Sequence, residues 1–198
     1  MNEKIIPLKS GYYLKQMEKS EFFPLFGQHY DRIFGNDHTF FPDKYFSKEE
    51  KENSKKLAAR MGDPYSLYVC VFSQAHECVG FSFGFQESAE TFYMVCSAIV
   101  EDHRGGGLYG QMLKHIVDVV SAEGFQIIYG THCATNNAVI IPKLKAGFVI
   151  AKMEVSDMFG AIVHLHYYTN QLRRKVMSYR SGHIRPDAEL KKVMGLDK

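Results

Sequence analysis

The stretch from Ala98 to Gln111, AIVEDHRGGGLYGQ, constrains this chain more than any other. Strand-type apolar residues run into His103-Arg104-Gly105-Gly106-Gly107, and a helical pattern begins at once. Apolar residues at 109, 112, 113, 116 and 120 mark one face of a helix over 108–122. Three successive glycines let backbone N–H groups converge with no Cβ in the way. The helix that follows adds unpaired N–H groups and partial positive charge at its start. A strand, a glycine turn and a helix N-terminus in that order make a cradle for an anion such as a phosphate or pyrophosphate. Arg104 brings a full positive charge to its rim. A tight turn alone would need one glycine rather than three.

The flanking residues narrow the choice of anion. Gly105, Gly107 and Gly110 satisfy GxGxxG, the dinucleotide fingerprint. That fingerprint also needs an acidic residue about 20 positions on to hold a ribose. The corresponding stretch, Phe125 to Cys133, has no Asp or Glu, which disfavours a dinucleotide oxidoreductase. No Gly-Lys-Ser/Thr follows the turn, so it is not a Walker loop.

Around this turn the sequence alternates. A short strand at Gly11–Met17 precedes a Phe-rich helix from Glu18, closed by Gly35, and a loop from Asn36 to Asp43. Ser47-Lys48-Glu49-Glu50 is a capping box that opens a second helix, running to about Met61. Ser66–Phe72, Cys78–Gln86 and Thr91–Val100 read as an antiparallel meander. After the helix over 108–122 come a strand at Gln126–Cys133, a helix at Asn137–Lys145, and strands at Phe148–Ser156 and Ala161–Thr169. The expected fold class is therefore a layered α/β domain on a mixed sheet, spanning residues 1–170. Residues 171–198 form a basic C-terminal extension, read as a solvated helix partly balanced by Asp187, Glu189 and Asp197.

Composition excludes several classes. Among 198 residues, Lys plus Arg is 24 and Asp plus Glu is 22, a balance that argues against a nucleic-acid partner. Hydrophobic residues make up 45%, enough for an ordinary globular core. No apolar run approaches the ~18 residues of a membrane helix. The N-terminal MNEKIIPLKS has no apolar signal core, so a cytoplasmic protein is expected. Cys70, Cys78, Cys96 and Cys133 include no CxxC pair and read as free thiols. His164 and His166 share one strand face but have no evident third ligand, so no metal site is expected.

Arg104-Gly105-Gly106-Gly107-Leu108-Tyr109 resembles the acyl-CoA pyrophosphate loop of the GCN5-related N-acetyltransferases, Arg/Gln-x-x-Gly-x-Gly/Ala. Arg104 and Gly107 match, and Tyr109 stands where Gly or Ala is usual. A second motif agrees: Asn136 lies twelve residues before Phe148 of the Gly147-Phe148 pair, as in family members. The likeness covers about residues 91–150. It implies a mixed, mostly antiparallel sheet flanked by helices, and transfer of an acetyl group from acetyl-CoA to an amine by direct attack in a ternary complex. It places pyrophosphate on Gly105 to Gly110 and the pantetheine arm against Asn136. The oxyanion donors fall on the backbone of Ser97, Ala98 and Ile99, at a bulge that splays this strand from its neighbour. Many members carry a tyrosine as general acid where Lys143 stands here. No carboxylate base is found between Phe92 and Ile99, and His132 is the candidate base. The alternative to an enzyme is a catalytically weak acyl-CoA-binding or sensing module.

In the resembled fold, the acceptor, a small-molecule or peptide amine, lies against two segments. One is Asn36–Phe46, with Phe40, Phe41 and Tyr45; the other is Asp157–Gly160, with Met158 and Phe159. These apolar residues read either as a pocket for an amine with an apolar body or as core and homodimer surface.

Overall fold

The computed structural model describes residues 5–34 and 41–196. The expected helix closure at Gly35, most of the expected loop from Asn36, and Phe40 lie outside the described residues. Eight strands form one sheet in the order β1-β2-β3-β4-β5-β6-β8-β7. They are β1 (Ile5–Pro7), β2 (Tyr13–Gln16), β3 (Ser66–Phe72), β4 (Cys78–Gln86), β5 (Thr91–Ile99), β6 (Ile127–Cys133), β7 (Val149–Ser156) and β8 (Gly160–Tyr168). Every neighbouring pair is antiparallel except β5 and β6. The helices are α1 (Lys19–Phe34), α2 (Lys48–Ala59), α3 (Leu108–Ala122), α4 (Asn137–Lys145), α5 (Gln171–Arg180) and α6 (Ala188–Met194).

Strand alternation sorts the core into two layers. Leu67, Val69 and Val71 of β3 face α3, packing with Met112, Leu113, Ile116 and Val120 in the larger cluster. Cys70 of β3 faces the other way with Phe81, onto Phe22 of α1. The sheet is thus sandwiched between α1 and α3 with α4. The capping box of α2 is present as expected: Ser47 accepts from the Glu50 amide, and Glu50 accepts from the Ser47 amide. Yet α2 buries none of its residues, because KEEKENSKKLAA offers no apolar face.

Two irregularities open the sheet. Phe83 faces Cys96 but Gly84 faces Met94, so Val95 is an extra residue bulged out of β5. Gly84 suits this position because an added Cβ would lie 2.4 Å from the Tyr93 carbonyl oxygen. The bulge flips the strand's parity: Phe92 and Met94 face α3, whereas Cys96 and Ala98 face α1. The second irregularity is the short β5–β6 ladder, which pairs only Thr91–Tyr93 with Ile127–Tyr129. Beyond it, β5 stays with β4 up to Ile99 and β6 stays with β8 up to Cys133. A wedge-shaped gap therefore separates them.

The basic C-terminal segment folds back onto the domain. α5 packs on β8, and Leu190 of α6 is fully buried. The solvated helix expected there is two helices, α6 being anchored by one apolar residue. Lys175 lies 2.5 Å from Asp187 and 2.7 Å from Glu189, and Arg173 pairs with Glu90 at 2.9 Å. These cations are spent on carboxylates of the same chain. None of the described helices is long and apolar enough to cross a membrane.

Candidate functional site

The glycine turn is built for an open helix end. Gly105 and Gly107 adopt φ of 83° and 77°, a left-handed conformation that side chains disfavour. Gly107 is the N-cap of α3; no side chain caps that end, and no acidic residue lies in its first turn. By contrast, α2, α5 and α6 are capped by Ser47, Asn170 and Asp187. An added Cβ at Gly105, Gly106, Gly107 or Gly110 would meet no protein atom within 4 Å. The first-turn amides of α3 are thus unmet donors facing open space. The start of α4, where Asn136 is the N-cap, likewise has no side-chain cap.

Both helix ends border one cleft of about 1810 Å³ that passes through the wedge between β5 and β6. Pockets for a single drug-sized ligand hold about 300–1,000 Å³, so this one has room for two substrates. Arg104, Gly105, Gly107, Leu108, Tyr109 and Gly110 line it, as do Ser97, Ala98, Ile99, His132 and Asn136. Gly106 and Lys143 do not. Leu108 sends its side chain into the core, leaving only its backbone to the cleft. The Tyr109 hydroxyl meets the Ser97 hydroxyl at 3.0 Å, and burial raises its pKa to about 12.

The three expected backbone donors separate by strand parity. Val100 N–H bonds to the Val79 carbonyl at 2.8 Å, and the Ala98 carbonyl lies against Gly80 of β4. Along an antiparallel ladder one residue turns both polar groups to the same neighbour. Ala98, expected among the donors, therefore turns its amide to β4 instead, while the amides of Ser97 and Ile99 face the wedge. The Ile99 carbonyl accepts from Arg104 Nε at 2.8 Å. Arg104 thus also closes the last free carbonyl of β5.

Behind the wall of the wedge, out of the cleft itself, lies Lys143, completely buried. Its amine is 3.9 Å from the Met94 sulfur and 5.2 Å from the Phe148 ring centroid. Gly130 of β6 leaves the room: an added Cβ there would sit 2.7 Å from Lys143 Nζ. Burial without an anionic partner pushes the amine's pKa down from 10.5 to about 7. The Cys96 thiol, buried beside it, is pushed up to about 12. Desolvation and the Lys143 charge hold His132 at about 3, and its Nε2 is buried with no hydrogen-bond partner among the described residues. His132 lines the cleft, but its lowered pKa makes it a weak base. Cys133, also in the cleft wall, contacts the Phe159 carbonyl.

The bulge expected on this strand is present, but its position at Val95 depends on the partner strand, and the burial of Lys143 runs against the usual exposure of lysine. The paired histidines lie outside the cleft: His164 stacks on Tyr129 and approaches Glu154 at 3.1 Å.

The overall fold recurs in known structures. The chain has the GCN5-related N-acetyltransferase fold. It is similar to the RimL ribosomal L7/L12 α-N-protein acetyltransferase in complex with coenzyme A, at 15% identity and a TM-score of 0.59 over 83% of this chain and 98% of that one. It is similar to yncA of Salmonella typhimurium, solved with acetyl-CoA as its cofactor, at 13% identity and a TM-score of 0.59 over 90% and 99%. For the ribosomal-protein-S18-alanine N-acetyltransferase of Escherichia coli, the values are 18% and 0.55 over 79% and 93%. No family model and no curated protein sequence matches the chain. At these identities the likeness carries the fold, and the chemistry rests on the residues of this chain.

Proposed function

We propose that the protein is an N-acetyltransferase that moves an acetyl group from acetyl-CoA to an amine. The observation that carries this reading is the wedge: one cleft joins an uncapped, glycine-lined helix start on the α3 face to an aromatic chamber on the α1 face. Acetyl-CoA supplies the activated acyl group as a thioester. The unpaired amides of residues 105–110 fit its diphosphate, which satisfies donors that no protein group meets. Asn136, at the start of α4, fits the amide-bearing pantetheine arm.

Within the wedge, the amides of Ser97 and Ile99 point where negative charge would develop on the thioester oxygen. A fixed donor of this kind contributes about 10²–10³ in rate. Holding both reactants in one cleft supplies much of the rest. Lys143, buried just behind His132 and Cys96 of the cleft wall and with a pKa near 7, is assigned as the proton source for the departing thiolate, which it would reach through that wall, because a catalytic acid works best near the operating pH. His132, kept neutral, lines the path without acting as the base. The amine therefore arrives already uncharged.

The test is calorimetric titration of acetyl-CoA, followed by thiol release with an amine panel. Binding with turnover supports the proposal. Binding without turnover for any amine would reduce the protein to an acyl-CoA-binding module, and absence of binding would refute the site.

A further inference from the structure

Resting on this proposed reaction, we infer that the acceptor is an amine carried on a flat aromatic body and uncharged at neutral pH. The first observation is a ladder of rings on α1. Phe22, Phe26, Tyr30 and Phe34 recur every fourth residue, which stacks them along one helix face. Their centroids are 5.8, 5.4 and 5.3 Å apart in turn. The ladder's first rung is core: Phe22 is fully buried, against Tyr68 and Phe83. The other three rungs border the cleft. Phe83 and Tyr93 form its floor on the sheet, and Phe41 adds a further ring. The turn between β7 and β8 closes the side with Met158 and Phe159. A chamber walled by ring faces and edges matches a flat apolar body by offset or edge-on stacking.

The second observation is charge. Among the described residues lining the whole cleft, Asp118 is the one carboxylate, and it sits on α3, on the opposite face of the sheet. The groups nearest the wedge are nitrogen bases and thiols: Lys143, His132, Cys96 and Cys133. An alkylammonium brought into this chamber would lose its hydration and meet no counter-ion among the described residues. The rings would offset only part of that cost, by about 0.5–2 kcal/mol. They also give no means of removing the proton that blocks attack. A nitrogen conjugated to an aromatic ring carries no such proton at neutral pH. Its lone pair forms the N–C bond, the C–S bond breaks, and the proton it sheds ends on the coenzyme's sulfur. The products are an N-aryl amide and free thiol.

The experiment measures thiol release at pH 7 from acetyl-CoA with p-anisidine, phenethylamine, spermidine and an alanine-initiated peptide, alongside calorimetric binding of acetyl-CoA. The expected result is the highest kcat/KM for p-anisidine. A higher value for any of the other three, or no turnover of p-anisidine while acetyl-CoA binds, overturns the inference and leaves the coenzyme site standing. Failure of acetyl-CoA to bind overturns the proposed reaction itself. In Tyr30→Ala and Phe34→Ala, loss of one stacking wall should raise the KM for p-anisidine about tenfold with the acetyl-CoA affinity unchanged. An unchanged KM in both variants would contradict the chamber.

Discussion

Replacing Lys143 by methionine should make the protein more stable and less active at once. The lysine is completely buried, and its amine meets a thioether and a ring rather than a carboxylate. Its pKa falls from 10.5 to about 7 on folding. Each unit is worth about 1.4 kcal/mol, so the protonated amine destabilises the fold by on the order of 5 kcal/mol. The unfolded chain keeps its proton up to about pH 10.5, and the folded chain releases it above about pH 7. Between those values the unfolded state binds more protons, so the lysine protein gains stability as pH rises, by about 1.4 kcal/mol per unit. Below pH 7 the penalty is complete. Methionine fills the same unbranched path without charge. The advantage of Lys143→Met should therefore be largest at pH 6 and about 3 kcal/mol smaller at pH 9. Urea denaturation of both proteins from pH 6 to 9 measures this, and tyrosine and cysteine titrations common to both cancel in the difference. Loss of the proton donor should lower kcat by about 10²–10⁴ with little change in acetyl-CoA affinity. Parallel stability curves, or a variant less stable at every pH, would refute the reasoning by showing a paired lysine.

Three further outcomes follow from the same geometry. Gly110 lies in the first turn of α3, and a side chain there would enter the cleft rather than the protein. Gly110→Leu should raise stability by about 0.5–1 kcal/mol in thermal unfolding, yet weaken CoA binding at least about tenfold in calorimetry. Gly130→Ala should destabilise by about 1–3 kcal/mol in urea, since the new methyl would lie 2.7 Å from Lys143 Nζ and 3.1 Å from the Met94 carbonyl oxygen. In hydrogen exchange, the amides of α2, which buries no side chain, should exchange far faster than those of β3 to β5.

Much of the fold was legible because it follows local periodicity. The helices over 108–122 and 137–145 and the three meander strands lie where their apolar spacing puts them, and Ser47 caps α2 as its box implies. The three-residue strand β1 escaped notice because Ile5-Ile6-Pro7 is half exposed and too short to show alternation. The site was legible in part. The open end of α3 could be read from Gly105 and Gly107, because a backbone need leaves a mark in residue type. The parity of Ser97, Ala98 and Ile99 could not, because it depends on one extra residue, Val95, counted against β4. The burial of Lys143 depends on the gap beside Gly130, and the chamber on the docking of α1 across the sheet. Both are long-range consequences that no local pattern carries.

On the proposed reading, the backbone of the glycine turn, and not a lysine or arginine cluster, holds the diphosphate of the coenzyme. Crystals grown with acetyl-CoA test it most directly. Phosphate oxygens are expected within hydrogen-bond distance of the amides of residues 105–110, with the thioester in the gap between β5 and β6. Density for the coenzyme at any other face, or an empty turn at saturating acetyl-CoA, would contradict it.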